Sequence, residues 1–160
     1  MILYSITFID LNNFKPINDT HGHAMGDVVL QHAANQMKAC IRDSDTASRI
    51  GGDEFCILLN EIDDLAICQV MVEKLKAAIA EPIIESEITV QGTASIGVAN
   101  YPEHGDTLEA LLNYADLSMY KDKEKMKQVL QMQKALQKKM EDVQQKSEQK
   151  NSKMNEMMKF

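Results

Sequence analysis

Gly51-Gly52-Asp53-Glu54-Phe55 decides the reading of this chain, because it places two carboxylates directly behind a pair of glycines. On either side, Thr46-Ala-Ser-Arg-Ile50 and Phe55-Cys-Ile-Leu-Leu59 read as short strands, so the stretch is expected to fold as a β-hairpin with the acids at its tip. At ordinary residue frequencies those five letters occur in order on the order of once per million start positions. Acids at such a tip face solvent or a ligand. The competing reading is an ordinary glycine-rich hairpin with solvated acids.

Outward from the hairpin, strand-like and helical runs alternate. Residues near 2 to 9 form an apolar strand ending at Asp10, and Asn13 to Asn18 a short helix that tolerates Pro16 in its first turn. A loop, Asp19-Thr-His-Gly-His23, leads to a helix from Met25 to about Ile41, with Val28, Val29, Ala33, Met37 and Ile41 at helical spacing. Asp63 or Asp64 caps the next helix, which runs to about Ala80 and stops before Pro82. Thr89 to Val98 supply more strand, broken by Gly92 and Gly97. The last helix begins near Thr107 with Leu108, Leu111, Leu112, Ala115 and Met119 on its apolar face. This order predicts the α/β (α+β) class, a mixed sheet with helices packed on it.

Composition bounds the function. At 160 residues and 44% hydrophobic, the chain holds one core plus a tail. A net charge of -7 argues against binding a nucleic acid polymer and leaves room for a local basic site that takes nucleotide phosphates. Cys40, Cys56 and Cys68 form neither a disulfide framework nor a zinc pattern, which fits a reducing cytoplasm. The apolar opening Met1 to Ile9 is too short for a membrane span, so no membrane is expected in this chain.

If the first strand lies beside the hairpin, Asp10, Asp53 and Glu54 converge, and three such carboxylates repel unless a cation neutralises them. Oxygen-only ligands favour Mg²⁺ or Mn²⁺ over zinc, and such ions keep positions open for water and substrate phosphates. That chemistry points to phosphoryl transfer. Lys15 lies on the turn after Asp10, where freed backbone N–H groups and a helix N-terminus suit a triphosphate. Taken alone, Asp10 reads as a helix cap.

These residues resemble the GGDEF family of diguanylate cyclases over roughly residues 3 to 123. The resemblance rests on Phe8-Ile-Asp10-Leu-Asn-Asn-Phe14-Lys15-Pro-Ile-Asn18-Asp19, Gly22-His23-Ala-Met-Gly26-Asp27, the run Gly51 to Phe55, Ser95-Ile-Gly-Val98, and Ala115-Asp116 with Tyr120 and Lys123. It implies a ferredoxin-like or polymerase-palm-like sheet. It also implies condensation of two GTP into cyclic di-GMP with release of two pyrophosphates, each GTP held by one subunit of a homodimer. By the same resemblance Asp10, Asp53 and the Leu11 carbonyl bind two Mg²⁺ (or Mn²⁺) ions per site, and Glu54 acts at the metal or as the base for the 3'-hydroxyl. Phe14, Gly51 and Gly52 line the substrate site, Lys15, Lys123 and Lys127 reach phosphates, and Asn18 and Asp27 read guanine. A carboxylate suits the N1 and N2 donors of guanine, which adenine lacks. Without the family context, Asp27 reads equally as a surface acid favoured by the helix dipole.

Arg42-Asp-Ser-Asp45 stands where the family carries an RxxD motif that binds product and inhibits, a coincidence expected roughly once in three hundred tries. The competing reading is a helix-terminal Arg paired with a loop acid. The family's usual N-terminal segment DxLTGLxNR is not found before the first strand, nor its Gly-Arg-Asn after Lys123, and Asn12 stands where a second Asp is common. The expected organisation is a domain over residues 1–125 and a helical tail over 126–160. In the tail, Met126, Gln133, Met140, Ser147 and Met154 fall at heptad position a, and Val129, Leu136, Val143, Lys150 and Met157 at d, a coiled-coil seam weakened by its polar members. A frayed helix competes with it. His21, His23 and the cysteines read as structural. A binding module that takes GTP or cyclic di-GMP without catalysis, signalling through the tail, is the alternative function.

Overall fold

The computed structural model describes residues 3–159; Ile2, expected to open the first strand, lies outside them. The elements run β1 (Leu3–Asn12), α1 (Phe14–His21), α2 (His23–Cys40), β2 (Thr46–Gly51), β3 (Glu54–Ile62), α3 (Ala66–Ile79), β4 (Ile83–Glu85), β5 (Ile88–Val90), β6 (Thr93–Tyr101) and α4 (Leu108–Met157). Four strands form one sheet in the order β2-β3-β1-β6, and β4-β5 form a separate two-stranded ribbon. Two helical crossovers each skip one strand: α1 and α2 carry the chain from β1 past β3 to β2, and α3 carries it from β3 past β1 to β6. That is the βαββαβ, ferredoxin-like arrangement within the expected α+β class.

Every ladder in the sheet is antiparallel, whereas a mixed sheet was expected. The parallel pairs that β-α-β connections imply do exist, but each is separated by an intervening strand. β1 runs through to Asn12, so Asp10 does not end it. Gly97 lies inside an unbroken β6. The strand expected from Thr89 divides at Gly92 into β5 and β6, and β4, which pairs with β5, has no counterpart in the sequence reading, because three residues are too short to show a period. Leu65 holds the N-cap position of α3, and of the two acids expected there it is Asp64, just before the cap, whose Oδ1 accepts the Ala66 N–H at 2.9 Å.

Alternation along β1 divides the core. Ile9 and Leu11, with Phe55, Ile57 and Leu59 of β3 and Ala94 and Ile96 of β6, pack under α2 and α3. Ile6, Ala99, Leu111 and Ala115 form a second, smaller cluster on the opposite face, flanked by Phe8, Cys56 and Leu58. There α4 approaches β6 at Gly97 so closely that an added Cβ would meet the Ala115 carbonyl and stand 2.7 Å from the Met119 Cα. Leu108, expected on the buried face, is exposed, since burial begins at Leu111.

The chain divides into two compact units, Met1–Lys123 and Glu124–Phe160. The second continues α4 as helix to Met157, and its apolar residues, Val129, Leu136, Met140 and Val143 among them, are exposed. No helix among the described residues is long and apolar enough to cross a membrane.

Candidate active site

The register of β1 and β3 assembles the carboxylates. Asp10 pairs with Glu54 across the ladder, and the Leu11 N–H donates to the Asp53 carbonyl at 3.1 Å, tying the hairpin tip to β1. Gly51 pairs with Glu54, leaving Gly52 and Asp53 as the turn. Gly52 has φ +55°, which a glycine adopts without strain. Arg49 Nε donates to the Gly52 carbonyl at 2.9 Å and holds the turn, a role its place in the sequence does not announce.

Asp10 is 7% exposed on the face shared with α4. Its Oδ2 accepts from Lys123 Nζ at 2.8 Å, while its Oδ1 is buried without a hydrogen-bond partner. Beside it, burial and then the Asp10 charge hold the Asp53 carboxyl above its ordinary value, only partly offset by Lys123. The hydrogen bond to Asp10, helped by the charges of Asp10, Asp53 and Glu54, raises Lys123 against the opposing effect of burial. Glu54 itself is exposed. Asp10 and Asp53 are therefore brought together, and Glu54 stands opposite Asp10 with its side chain in solvent. Among the described residues no three His, Cys, Asp or Glu groups are gathered closely enough to hold a metal by themselves. Two oxygen donors with an orphaned buried carboxylate oxygen fit a hard cation whose other positions are filled by water or phosphate.

The remaining expected residues flank this centre. Phe14 opens α1 and packs against the main core, and Lys15 beside it is exposed. The Asn18 Oδ1 is buried, lacks a partner and lies where a Cβ on Gly26 would be, so the glycine leaves room for the Asn18 side chain where it stands. Asp27, next along α2, is exposed and lies beyond the helix's first turn. Lys127 belongs to the second unit, where it donates to Glu124 at 3.0 Å.

Arg42 and Asp45 hold each other. Arg42 Nε and Nη2 reach Asp45 Oδ2 and Oδ1 at 3.1 and 3.0 Å, and the backbone N–H groups of Arg42 and Asn60 add bonds to the same carboxylate at 2.9 and 3.0 Å. Burial opposes ionisation of Asp45, but these bonds outweigh it and lower its pKa. The guanidinium is left half exposed. Cys40, Cys56 and Cys68 are free, and burial raises the Cys56 and Cys68 thiols. Sequence reasoning missed Asp122, whose Oδ2 accepts from the Ile96 N–H and from Lys76. An acid beside a lysine inside a long helix carries no local signal of that contact.

A ferredoxin-like α+β sheet that presents two apposed acids and a lysine at one end of its central strands is the frame of a palm-like domain. Residues 3–129 match the family described as "Diguanylate cyclase, GGDEF domain", and this chain belongs to that family. Diguanylate cyclase TpbB of Pseudomonas aeruginosa (strain PAO1) is 43% identical over 117 residues, 72% of this chain and 27% of that protein. Cyclic di-GMP phosphodiesterase NbdA of the same species is 37% identical over 119 residues, 74% of this chain and 15% of that protein. The crystal structure of the GGDEF domain of YfiN (TpbB) from Pseudomonas aeruginosa aligns with a TM-score of 0.74 at 40% identity, covering 78% of each chain. The chain thus spans about a quarter or less of the length of these two curated relatives.

Proposed function

We propose that this domain is a cytoplasmic diguanylate cyclase, condensing two GTP into cyclic di-GMP with loss of two pyrophosphates when two copies face each other. The observation that carries this reading is the apposition of Asp10 and Asp53 beside Lys123, with one buried Asp10 oxygen unpaired. In each half-reaction the 3'-oxygen of one nucleotide attacks the α-phosphorus of the other, and pyrophosphate leaves. Asp10 and Asp53, with the Leu11 carbonyl, would hold two Mg²⁺ or Mn²⁺ ions, which supply charge neutralisation at the phosphates. Glu54, exposed opposite Asp10, assists at the metal or takes the proton from the 3'-hydroxyl. Lys15 and Lys123 bind phosphate oxygens, and Phe14, Gly51 and Gly52 line the nucleotide site. The unpartnered Asn18 Oδ1 accepts from guanine, and Asp27 pairs with its N1 and N2 donors. Arg42 and Asp45 bind the product and slow turnover, the half-exposed guanidinium being the point of entry. The domain is taken as residues 1–125, and the tail over 126–160 pairs in parallel with a second copy.

That TpbB is named a diguanylate cyclase supports this reading. A second reading, a GGDEF module that binds guanine nucleotides without catalysis, is favoured by the matching stretch within NbdA, named a phosphodiesterase. Incubation of the chain with GTP and Mg²⁺, followed by nucleotide chromatography, separates them. Cyclic di-GMP is expected from the parent and none from Asp53→Ala, while Arg42→Ala keeps the rate and resists inhibition by added product. Bound GTP without product would replace the cyclase with the binding module.

A further inference from the structure

β6 is the edge of the four-stranded sheet, so N–H groups on its free side have no strand partner. One of them is satisfied by a helix. Ile96 N donates to Asp122 Oδ2 at 2.8 Å, and Lys76 Nζ of α3 stands 2.7 Å from the same oxygen. The Asp122 and Lys76 side chains are 20% and 27% exposed, so this junction of α3, β6 and α4 is largely enclosed.

The next residue on α4 is Lys123, which reaches Asp10 Oδ2 at 2.8 Å. Successive helix residues leave the axis about 100° apart, so fixing one side chain against the sheet edge fixes the direction of the next. The Gly97 contact, made with Ala115 and Met119, sets how closely α4 lies on β6. Met119 is the last residue of α4 buried in this packing, and in the turn that follows Asp122 bonds the helix to the sheet edge. A lysine has many rotamers, and its reach to a given atom depends on where its Cα stands. Asp122 is the bond that holds this turn where Lys123 leaves it.

We propose that Asp122 is a positioning residue for Lys123: by accepting the Ile96 N–H it sets the last turn of α4 within the domain, so that Lys123 meets Asp10 and, in the loaded site, a nucleotide phosphate. The second half of this inference rests on the GTP reading above; the first half does not. Lys76 is a secondary partner that holds the carboxylate in place.

The test has two arms, both on the full chain. In the nucleotide-free protein, brief acetylation with acetic anhydride is read by peptide mass spectrometry, with exposed Lys15 as internal reference. Asp122→Ala raises the labelling of Lys123 relative to Lys15 by about tenfold or more, as expected for losing one charge-assisted bond. Asp122→Asn, whose side-chain oxygen still accepts the Ile96 N–H, stays near the parent, and Asp122→Glu, with its acceptor displaced by one methylene, falls between. Unchanged labelling in Asp122→Ala, or equal labelling in the Ala and Asn variants, overturns the proposal. If Asp122→Ala does not fold, the order parent, Asn, Glu decides it.

The second arm measures affinity for 3'-deoxy-GTP, which lacks the attacking hydroxyl, in the presence of Mg²⁺. Asp122→Ala and Lys123→Ala each weaken binding about tenfold, and the double variant is no weaker than Lys123→Ala alone, as expected when one residue acts through the other. Additive losses would overturn the link to the nucleotide. A parent chain that binds no 3'-deoxy-GTP would sink the GTP reading, while the acetylation arm would still decide whether Asp122 positions Lys123.

Discussion

Asp53 bears a charge that its surroundings oppose, because partial burial and the neighbouring Asp10 both favour its protonated form. A carboxyl raised in the folded chain binds protons that the unfolded chain has released, so its cost appears as pH rises above the ordinary value of 3.8 and persists at neutrality. Asp53→Asn is therefore expected to raise Tm at pH 7. The gain is limited to about 1–3 °C because the group is mostly solvated, and it fades as pH falls toward 3.8. Mg²⁺ added to the parent should raise its Tm and move the variant's much less, since a cation that binds the folded acids stabilises them. Thermal melts with and without Mg²⁺ check both statements; equal Mg²⁺ shifts would remove Asp53 from the metal site. At this scale the sequence was informative in part: the hairpin acids and Asp10 were legible, but their meeting was conditional on the first strand lying beside the hairpin, which the β1–β3 ladder supplies. The bond from Lys123 to Asp10 spans 113 positions, and no local pattern reports it.

Among the elements, α4 depends on Gly97. Its backbone fills the space where a Cβ would stand, and the obstructing atoms are main chain rather than yielding side-chain tips. Gly97→Ala is expected to cost about 2 kcal/mol, lowering Tm by roughly 6–10 °C, and to weaken GTP binding because α4 carries Lys123. A melt and a nucleotide titration test this; an unchanged Tm would mean that α4 yields freely. The helices over 23–40 and from 108 onward were legible from their apolar period, that over 66–79 from its acidic start and the proline beyond its end, and β1 and the hairpin from their composition. Gly97 was misread for a physical reason. A glycine inside a strand looks like a break from the sequence alone, yet here it marks the close approach of another element. The antiparallel sheet was hidden for a similar reason, since crossovers that skip a strand look in sequence like ordinary parallel units.

For the molecule as a whole, the proposal turns on assembly, since each nucleotide is assigned to one of two facing copies. The seam residues of the second unit are exposed along the helix, Met140 by 65% and Val143 by 68%, and burying them against a second copy would favour dimers. Removing residues 126–160 is expected to lower the mass in solution and to lower the rate per chain about tenfold at equal micromolar concentration, because pairing raises the local concentration of half-sites. Equal mass and equal rate would sink the role given to the tail. The heptad spacing was legible in the sequence; what the helix pairs with is not written in one chain. The ladder between β1 and β3, finally, makes the acids a matter of counting. A slip by one residue in either strand would turn Asp10 or Glu54 into the apolar core and bring a core residue out. Many single replacements along these strands should be tolerable, whereas one inserted or deleted codon between Ile6 and Asp10 should silence the domain while leaving its composition almost untouched.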